Sequence, residues 1–131
     1  MSFSRRGASS GTSTRASTTS RGKRFEDLAE NYLLALGYSL VQRNFRCKLG
    51  ELDLILRDGK CLVFVEVRSR QSARYGSALE AITPAKQAQV SRIAQLYLGR
   101  RRYRGPCRFD VVGITGDRIE HIKDAFRIGL S

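Results

Sequence analysis

Residues 50–70 of the sequence are GELDLILRDGKCLVFVEVRSR. Two apolar runs flank the dipeptide Asp58-Gly59, which is typical of a two-residue β-hairpin turn. The stretch therefore predicts two antiparallel strands. Three carboxylates, those of Glu51, Asp53 and Glu66, stand inside the strand runs, where acidic residues are uncommon.

The turn predicts which side chains share a face of the sheet. If Asp58 and Gly59 are the two turn residues, Glu51 lies directly opposite Glu66. Residues directly opposite each other point the same way, as do residues two apart on one strand. A four-residue loop gives the same grouping, whereas a three-residue loop would break it. Four side chains are then predicted to share one face: Glu51, Asp53, Glu66 and Arg68.

Such a group of acids suggests a bound cation. Like charges directly opposite on a ladder are unfavourable by a few tenths to about 1 kcal/mol, and half-buried carboxylates cost more without compensation. Arg68 neutralises one charge, and Mg²⁺ is typically held by one or two carboxylates with waters and a substrate phosphate. Phosphodiester hydrolysis uses such an ion. The alternative is an exposed sheet face with a structural Glu66–Arg68 contact.

The remaining pattern predicts an α/β domain with a mixed central sheet flanked by helices. An apolar stripe at helical spacing begins at Phe25, and Gly37 caps that helix. Thr83-Pro84 predicts the start of a second helix, which ends near Gly99. Further strands are predicted at 38–46, 108–114 and 118–123. The predicted order is α-β-β-β-α-β-β.

Two charged residues are predicted to approach the sheet from the helices. Glu26 lies at the edge of the first helix's stripe, although an ordinary solvated acid is an equally good interpretation. Lys86 continues the stripe of the second helix, where a cation in the first turn opposes the helix dipole unless it faces an acidic or phosphate-bearing site. Asp110 is interpreted as structural, pairing with an arginine, and His121 as a surface or packed histidine.

The charge balance indicates a polyanionic partner. The 131 residues include 24 Lys+Arg and 12 Asp+Glu, a net charge of +12. Nucleic acid is the commonest partner of a small basic protein, and an anionic membrane surface is second. Residues 1–24 are rich in Ser and Thr, basic and without acids, which predicts a disordered tail before a single domain at 25–131. Arg100, Arg101, Arg102 and Arg104 are predicted to form a basic loop, either solvated or phosphate-binding.

Several other classes are not indicated. No apolar run approaches the roughly 18 residues of a spanning helix, and the first residues have no apolar core of a signal peptide. Cys47, Cys61 and Cys107 are widely spaced, so neither a disulfide framework nor a zinc site is predicted. We therefore expect free thiols and a cytoplasmic location.

Seven features in order resemble the YraN family of small bacterial proteins, over about residues 22–126. They are FEDLAENYLLALGY at 25–38, RNFR at 43–46, GELDLI at 50–55, LVFVEVRSR at 62–70, YGSALEAI at 75–82, Lys86, and RFDVV at 108–112. That family is similar to archaeal Holliday-junction resolvases and to the PD-(D/E)xK nucleases. The resemblance implies a restriction-endonuclease-like fold.

The resemblance also implies roles for individual residues. Asp53 and Glu66 would bind Mg²⁺ or Mn²⁺, and the backbone carbonyl of Val67 would assist. Glu26 would match an additional metal-binding acid on the helix. Glu51 is interpreted either as support for the metal-binding acids or simply as the start of its strand. Two basic residues would contact the phosphate, Lys86 and Arg70, and two more are assigned to nucleic-acid binding by the charge of their segment, Arg101 and Arg102.

Arg68 stands where the nuclease motif normally has lysine, and it divides two hypotheses. The first is an Mg²⁺-dependent endonuclease that hydrolyses DNA phosphodiesters with water, with branched DNA as a candidate substrate. The second is a nucleic-acid-binding module that kept the fold without catalysis, because arginine keeps the charge but does not readily exchange a proton. An interaction protein for RNA or membrane is a weaker third. By analogy with resolvases, a homodimer is expected.

Overall fold

A computed structural model describes residues 13–70 and 78–127, leaving out the side chains of 13–21. The elements are helix α1 (Ser13–Ala35), strands β1 (Ser39–Cys47), β2 (Gly50–Asp58) and β3 (Cys61–Arg70), a short 3₁₀ helix (Ala78–Ala81), helix α2 (Pro84–Arg101), and strands β4 (Cys107–Thr115) and β5 (Arg118–Phe126). The predicted order of helices and strands is confirmed. The 3₁₀ helix was not predicted.

The five strands form one mixed sheet in the order β1-β2-β3-β4-β5. All neighbours are antiparallel except β3 and β4, which are parallel. A parallel pair needs a crossover connection, and α2 provides it. The part of the chain that the structure describes is therefore mixed α/β, with two α-helices. Neither helix in the described part of the chain is both long enough and apolar enough to cross a membrane.

The two helices cover opposite faces of the sheet. Phe64 belongs to the cluster that packs against Ile93 and Tyr97 of α2. Val63, the preceding residue on β3, belongs to the cluster that packs against Leu33 of α1. Because the central strands are buried on both faces, their sequences are nearly continuous apolar runs, and any charged residue within them is conspicuous.

The first helix begins earlier than predicted. The apolar stripe starts at Phe25, but α1 starts at Ser13. The segment 13–24 contains no proline, so nothing in it forces the helix to stop, and a polar extension leaves no trace in hydrophobic periodicity. The start predicted at Phe25 is therefore wrong. Residues 1–12 of the predicted tail lie outside the described residues.

Both helices end in the same hydrogen-bonded motif. At the end of α1, Tyr38 N–H donates to the Leu33 carbonyl at 3.2 Å, around Gly37 with φ +102°. This is a Schellman motif, and the predicted glycine cap is confirmed. The end of α2 differs from prediction. Gly99 is helical, and Arg102 takes the left-handed position with φ 53°. Glycine favours this position but is not required for it.

The start of α2 agrees with prediction. The Thr83 hydroxyl accepts a hydrogen bond from Lys86 N–H at 3.1 Å, and Pro84 is the first helical residue. The Thr83 side chain thus satisfies one of the unpaired N–H groups at the helix start. This cap fixes where α2 begins and places Lys86 in its first turn.

The hairpin turn is displaced by one residue from the predicted position. Asp58 pairs with Cys61, so the turn residues are Gly59 and Lys60. Gly59 has φ +60°, and Lys60 is not among the residues with positive φ, which is the pattern of a type II′ turn rather than the predicted type I′ turn. A turn at Asp58-Gly59 would have required Asp58 to adopt positive φ, which costs a non-glycine residue.

This correction keeps the parity of the prediction. The register pairs Leu54 with Val65, and one further step places Asp53 opposite Glu66. The predicted turn at Asp58-Gly59 would instead place Glu51 opposite Glu66. Each partner moves by two residues, so the same side chains remain on the same face. The two acids are now closer neighbours than predicted.

We predict that Gly113→Ala destabilises the protein by roughly 1–3 kcal/mol, because the added methyl group overpacks the core. A Cβ at position 113 would lie 2.5 Å from the Ala78 Cβ, where the 3₁₀ helix crosses β4. Urea denaturation measures the loss. The matched control is Gly99→Ala in α2, where a Cβ meets nothing within 4 Å. Equal stability of the two variants would contradict the close approach.

Candidate functional site

The sheet opens between β2 and β3 at Asp53. The backbone pairing of the two strands ends at Leu54 and Val65. Beyond that point, Asp53 Oδ2 accepts a hydrogen bond from Val67 N–H at 2.8 Å. The backbone of Asp53 in turn hydrogen-bonds the Glu66 carboxylate. The Asp53 carboxylate therefore accepts a hydrogen bond that a backbone carbonyl would accept in a regular ladder. Each of the two acids is thus hydrogen-bonded to the backbone of the opposite strand where the regular pairing ends.

Glu66 is the most unusual residue of this group. It is only 2% exposed, and its Oε2 has no hydrogen-bond partner among the described residues. An unsatisfied buried polar group costs about 1–3 kcal/mol, and more if it is charged. Arg68 Nε is likewise buried without a partner in the described part of the chain. Within the described residues, Glu66 Oε2 therefore has no donor and Arg68 Nε has no acceptor.

The same burial changes the protonation of both acids. Burial raises the pKa of Glu66 to about 8, and the charge of Asp53 adds to the rise, while Lys86 and Arg68 act against it. Burial also raises the pKa of Asp53 to about 6, against the hydrogen bond from Val67. Near neutral pH the isolated pair therefore retains a proton. A cation that binds the two carboxylates would release that proton.

The predicted site residues do come together around this pair. Lys86 and Arg68 act electrostatically on Glu66, and Glu26, Arg68 and Glu51 act on Asp53. The helix acid, the helix lysine and the strand residues therefore form one charged cluster, as the sequence predicted. We call it the acidic cluster, and it comprises Glu26, Glu51, Asp53, Glu66, Arg68 and Lys86.

Two members of the acidic cluster are already engaged by other residues. Glu26 Oε1 accepts hydrogen bonds from Arg43 at 3.2 Å and from Asn44 at 3.1 Å. Glu51 pairs with Arg46 at 3.4 Å, on the exposed side. These contacts leave Asp53 and Glu66 as the carboxylates best able to accept a cation.

No group of three or more His, Cys, Asp or Glu residues in ranges 13–70 and 78–127 is placed to hold a metal ion. A site of two carboxylates is nevertheless a normal one for Mg²⁺, which keeps several waters and uses substrate phosphate as a further ligand. The hard oxygen donors of Asp53 and Glu66, including an unpartnered Oε2, fit such an ion. They do not suit a soft metal.

Arg43 is a residue that sequence reasoning missed. Its guanidinium binds Asp27 at 2.6 Å, Glu30 at 3.0 Å and Glu26 at 3.2 Å, which ties β1 to α1. Asn44 follows it with φ 53°, an unusual conformation inside a strand. The available signal was the three acids that crowd the first turns after Phe25 in a basic chain. They required a cationic partner on the sheet.

Asp110 forms a second polar network, and its structural interpretation is confirmed. It is fully buried and accepts hydrogen bonds from Arg108 at 2.9 Å and Asp124 N–H at 3.0 Å, with His121 Nε2 at 2.8 Å. Burial acts to raise its pKa, but the hydrogen bonds hold the pKa below its ordinary value. Arg108 also binds Asp58. His121 is thus the packed histidine of the two alternatives.

The remaining predicted contacts are Arg70, at the end of β3, and the arginines near the end of α2. Arg70 ends β3 and is half-buried. Arg101 and Arg102 lie at the far end of α2 from Lys86, so the structure does not bring them to Asp53. Arg100 and Arg101 are helical, which corrects the predicted basic loop. Tyr75, considered for base stacking, lies outside the described residues.

The fold and the acidic cluster define a class: a small mixed α/β protein whose central strands carry a buried carboxylate pair. The particular family is the uncharacterised protein family UPF0102, whose model matches residues 25–114. This chain belongs to that family. The matched range includes every residue of the acidic cluster.

Relatives support the assignment over most of the chain. A UPF0102 protein of Nitrosococcus oceani is 51% identical over 114 residues, covering 82% of this chain and 92% of its own length. One of Geobacter sulfurreducens is 49% identical over 113 residues, covering 82% and 88%. One of Shewanella amazonensis is 47% identical over 105 residues, covering 80% and 97%.

We predict that Glu66→Gln changes how stability depends on pH. Between the ordinary pKa of 4.5 and the raised value of about 8, the folded wild type binds more protons than the unfolded chain, so its free energy of unfolding falls as pH rises. The variant lacks this term. Urea denaturation at about pH 5.5, 7 and 9 should show Glu66→Gln gaining on wild type with rising pH.

The control for this experiment is Glu80→Gln, which removes an acid that is exposed. Its difference from wild type should stay nearly constant across the same pH values. If the Glu66→Gln difference is equally constant, Glu66 is not held protonated by its surroundings.

We further predict that Asp110→Asn destabilises the protein by about 1–3 kcal/mol, because the amide cannot accept from all the donors that meet the buried Asp110 carboxylate, and Arg108 keeps only its ion pair with Asp58. Thermal or urea denaturation measures the effect. Asp117→Asn, in the exposed turn between β4 and β5, is the control and should stay within about 0.5 kcal/mol of wild type. A loss below about 1 kcal/mol at Asp110 would contradict its structural role.

Proposed function

We propose that this protein binds DNA and hydrolyses its phosphodiester bonds with a divalent cation, Mg²⁺ or Mn²⁺. The single observation that carries the proposal is Glu66. A fully buried carboxylate with an unpartnered oxygen, beside a second carboxylate and an unpartnered arginine nitrogen, is costly to fold. Acids whose pKa is strongly raised by burial beside a specific charge cluster at functional sites, which makes this pair a candidate site.

Each residue near the pair has a part in this proposal. Asp53 and Glu66 hold the cation, which when bound polarises the phosphate and lowers the pKa of a water molecule. Arg68 offers its free Nε to a phosphate oxygen, and Lys86 adds a second positive charge from the start of α2. Glu26 and Glu51 add negative charge near Asp53. Their own ion pairs with Arg43 and Arg46 restrain them.

The restriction-endonuclease-like class is part of the same proposal. Its support is the strand order, in which an antiparallel β1-β2-β3 unit is followed by a crossover helix and a parallel β4. The acids stand where β2 and β3 separate, and the crossover helix supplies the lysine. Fold alone does not establish activity, so the proposal rests on the site.

A second function is favoured by one residue, Arg68. A lysine at this position would be able to give or take a proton from the attacking water, whereas arginine stays protonated. A binding module that retains the acidic pair and the basic surface, without turnover, is therefore the competing function. The two functions differ in one result only, which is cleavage.

The proposed partner is DNA, with branched DNA as the first substrate to test. The net charge of +12 supports a polyanion, and phosphate contacts dominate the affinity of such proteins. A homodimer acting in the cytoplasm completes the proposal. The free thiols of Cys47, Cys61 and Cys107 suit a reducing compartment.

The test is a cleavage assay on supercoiled, linear, flap and junction DNA with Mg²⁺ or Mn²⁺. We expect wild type to cut at least one of them, and Asp53→Asn and Glu66→Gln each to lose at least about 100-fold in rate, as expected when charge stabilisation at the phosphate is removed. Asp117→Asn, which removes the same charge from an exposed turn, should cut like wild type.

Arg68→Lys separates the two functions. Cleavage by wild type that Asp53→Asn abolishes supports the hydrolase. Salt-sensitive binding by wild type, without cleavage of any substrate, supports the module. Cleavage gained only in Arg68→Lys would show that arginine at this position had removed an activity that the rest of the site still permits.

A further inference from the structure

Five arginines gather at the end of the molecule where the β2–β3 turn meets the end of α2. We call this group the basic surface, and it comprises Arg57, Arg100, Arg101, Arg102 and Arg104. All five are exposed. Tyr103 joins the two segments, since its hydroxyl, with one proton to donate, lies within hydrogen-bonding distance of the carbonyls of Pro106 (2.7 Å) and Lys60 (3.1 Å).

Aromatic rings hold three of these arginines in place. The guanidinium carbons lie over ring centroids in three pairs: Arg57 over Tyr103 at 5.8 Å, Arg100 over Phe45 at 5.9 Å, and Arg101 over Tyr97 at 4.9 Å. These distances are within the range of cation–π attraction. A stacked guanidinium is restrained on its face while its N–H edge points away from the ring, so less freedom is lost when that edge binds an anion. Arg101 donates one of its N–H groups to Gln42 Oε1 at 3.3 Å, in an exposed contact that an anion would replace.

The basic surface has no carboxylate to neutralise it. None of its five arginines forms an ion pair with the acids of the described residues, in contrast to Arg43, Arg46 and Arg108. Asp58, the acid nearest in sequence, is taken by Arg108 at 3.1 Å. The helix dipole accounts for cations in the last turn of α2. It does not account for Arg57 or Arg104.

We propose that the basic surface binds the phosphate backbone of double-stranded nucleic acid, as the second contact of the same substrate that the acidic cluster cuts. This inference rests on the proposed function. A duplex is favoured over a single strand because single strands are held by bases stacked on free rings. Here arginines lie over the rings, and Phe45 and Tyr97 are 9% and 3% exposed. Guanidinium edges suit phosphates.

The spacing between the two sites fits one duplex arm. Lys86 and Arg101 stand near opposite ends of α2, Pro84–Arg101. At a rise of about 1.5 Å per residue they are roughly 22 Å apart along the helix axis. Duplex DNA rises about 3.4 Å per base pair. An arm that contacts both sites therefore extends about six base pairs from the cut.

The test measures binding in EDTA, where metal-dependent cleavage cannot occur. The full chain is titrated onto a fluorescent 20-base-pair duplex between about 50 and 300 mM KCl, and anisotropy gives the affinity and its salt dependence. The variant is Arg101→Gln/Arg102→Gln/Arg104→Gln. The matched control, Arg92→Gln/Arg118→Gln/Lys123→Gln, removes the same charge from exposed positions elsewhere. Thermal melting checks that each variant is folded.

We expect the variant to lose at least about tenfold in affinity near 100 mM KCl, with a salt slope shallower by about two to three, since each lost phosphate contact removes about 0.9 from the slope. The control should lose less than about threefold. Equal losses in both would overturn the proposal, as would tighter binding of a single strand of the same length, or of vesicles rich in anionic lipid, than of the duplex.

The outcome is independent of whether the protein cuts. If the basic surface binds duplex but wild type cleaves nothing, the hydrolase fails and the binding surface stands. If Asp53→Asn abolishes cleavage and the arginine variant binds duplex as wild type does, the hydrolase stands and this inference fails.

Discussion

The structure depends on how two carboxylates are accommodated where β2 and β3 separate. The Asp53 side chain accepts a hydrogen bond from Val67 N–H. The backbone pairing of β2 with β3 ends just before this contact, at Leu54 and Val65. Glu66 is buried from water, on the same face of the sheet as Phe64, which packs with α2. Burying these two carboxylates costs desolvation free energy in the folded state. The same arrangement brings together a lysine and two buried polar atoms, Glu66 Oε2 and Arg68 Nε, that have no hydrogen-bond partner among residues 13–70 and 78–127.

Other charged groups of the molecule show what a satisfied arrangement looks like. Arg43 meets three acids of α1, and Asp110 receives donors from three directions. Both networks fasten elements of the fold together. The acidic pair differs because its hydrogen bonds link only the neighbouring strands β2 and β3. Ordinary backbone hydrogen bonds would join these two strands at a lower cost in desolvation. The cost of the acidic pair is therefore easier to explain by a bound cation and phosphate than by stability.

Much of the fold and the acidic cluster was predictable, because both depend on periodicity and parity. Apolar runs predicted the strands, the Thr83 cap predicted where α2 begins, and the hairpin placed Asp53 and Glu66 on one face although its turn was misplaced by one residue. Long-range charge pairing was less accessible. The three acids near the start of the apolar stripe indicate a cationic partner, but nothing local in sequence indicates that Arg43 is that partner or that Arg57 stacks on Tyr103. These contacts form only when distant segments pack. The polar start of α1 was missed because it lacks an apolar stripe.

The central claim is that Asp53 and Glu66 bind a divalent cation. It is tested most directly by titrating Mg²⁺ into ¹⁵N-labelled protein at about pH 8 and following the backbone amide signals by NMR. If the two carboxylates bind the ion, we expect saturable shifts at Asp53, Glu66 and Val67, with little change at Asp110, and no such shifts in Glu66→Gln. Signals of Asp53, Glu66 and Val67 that stay unmoved in wild type at millimolar Mg²⁺ would contradict it.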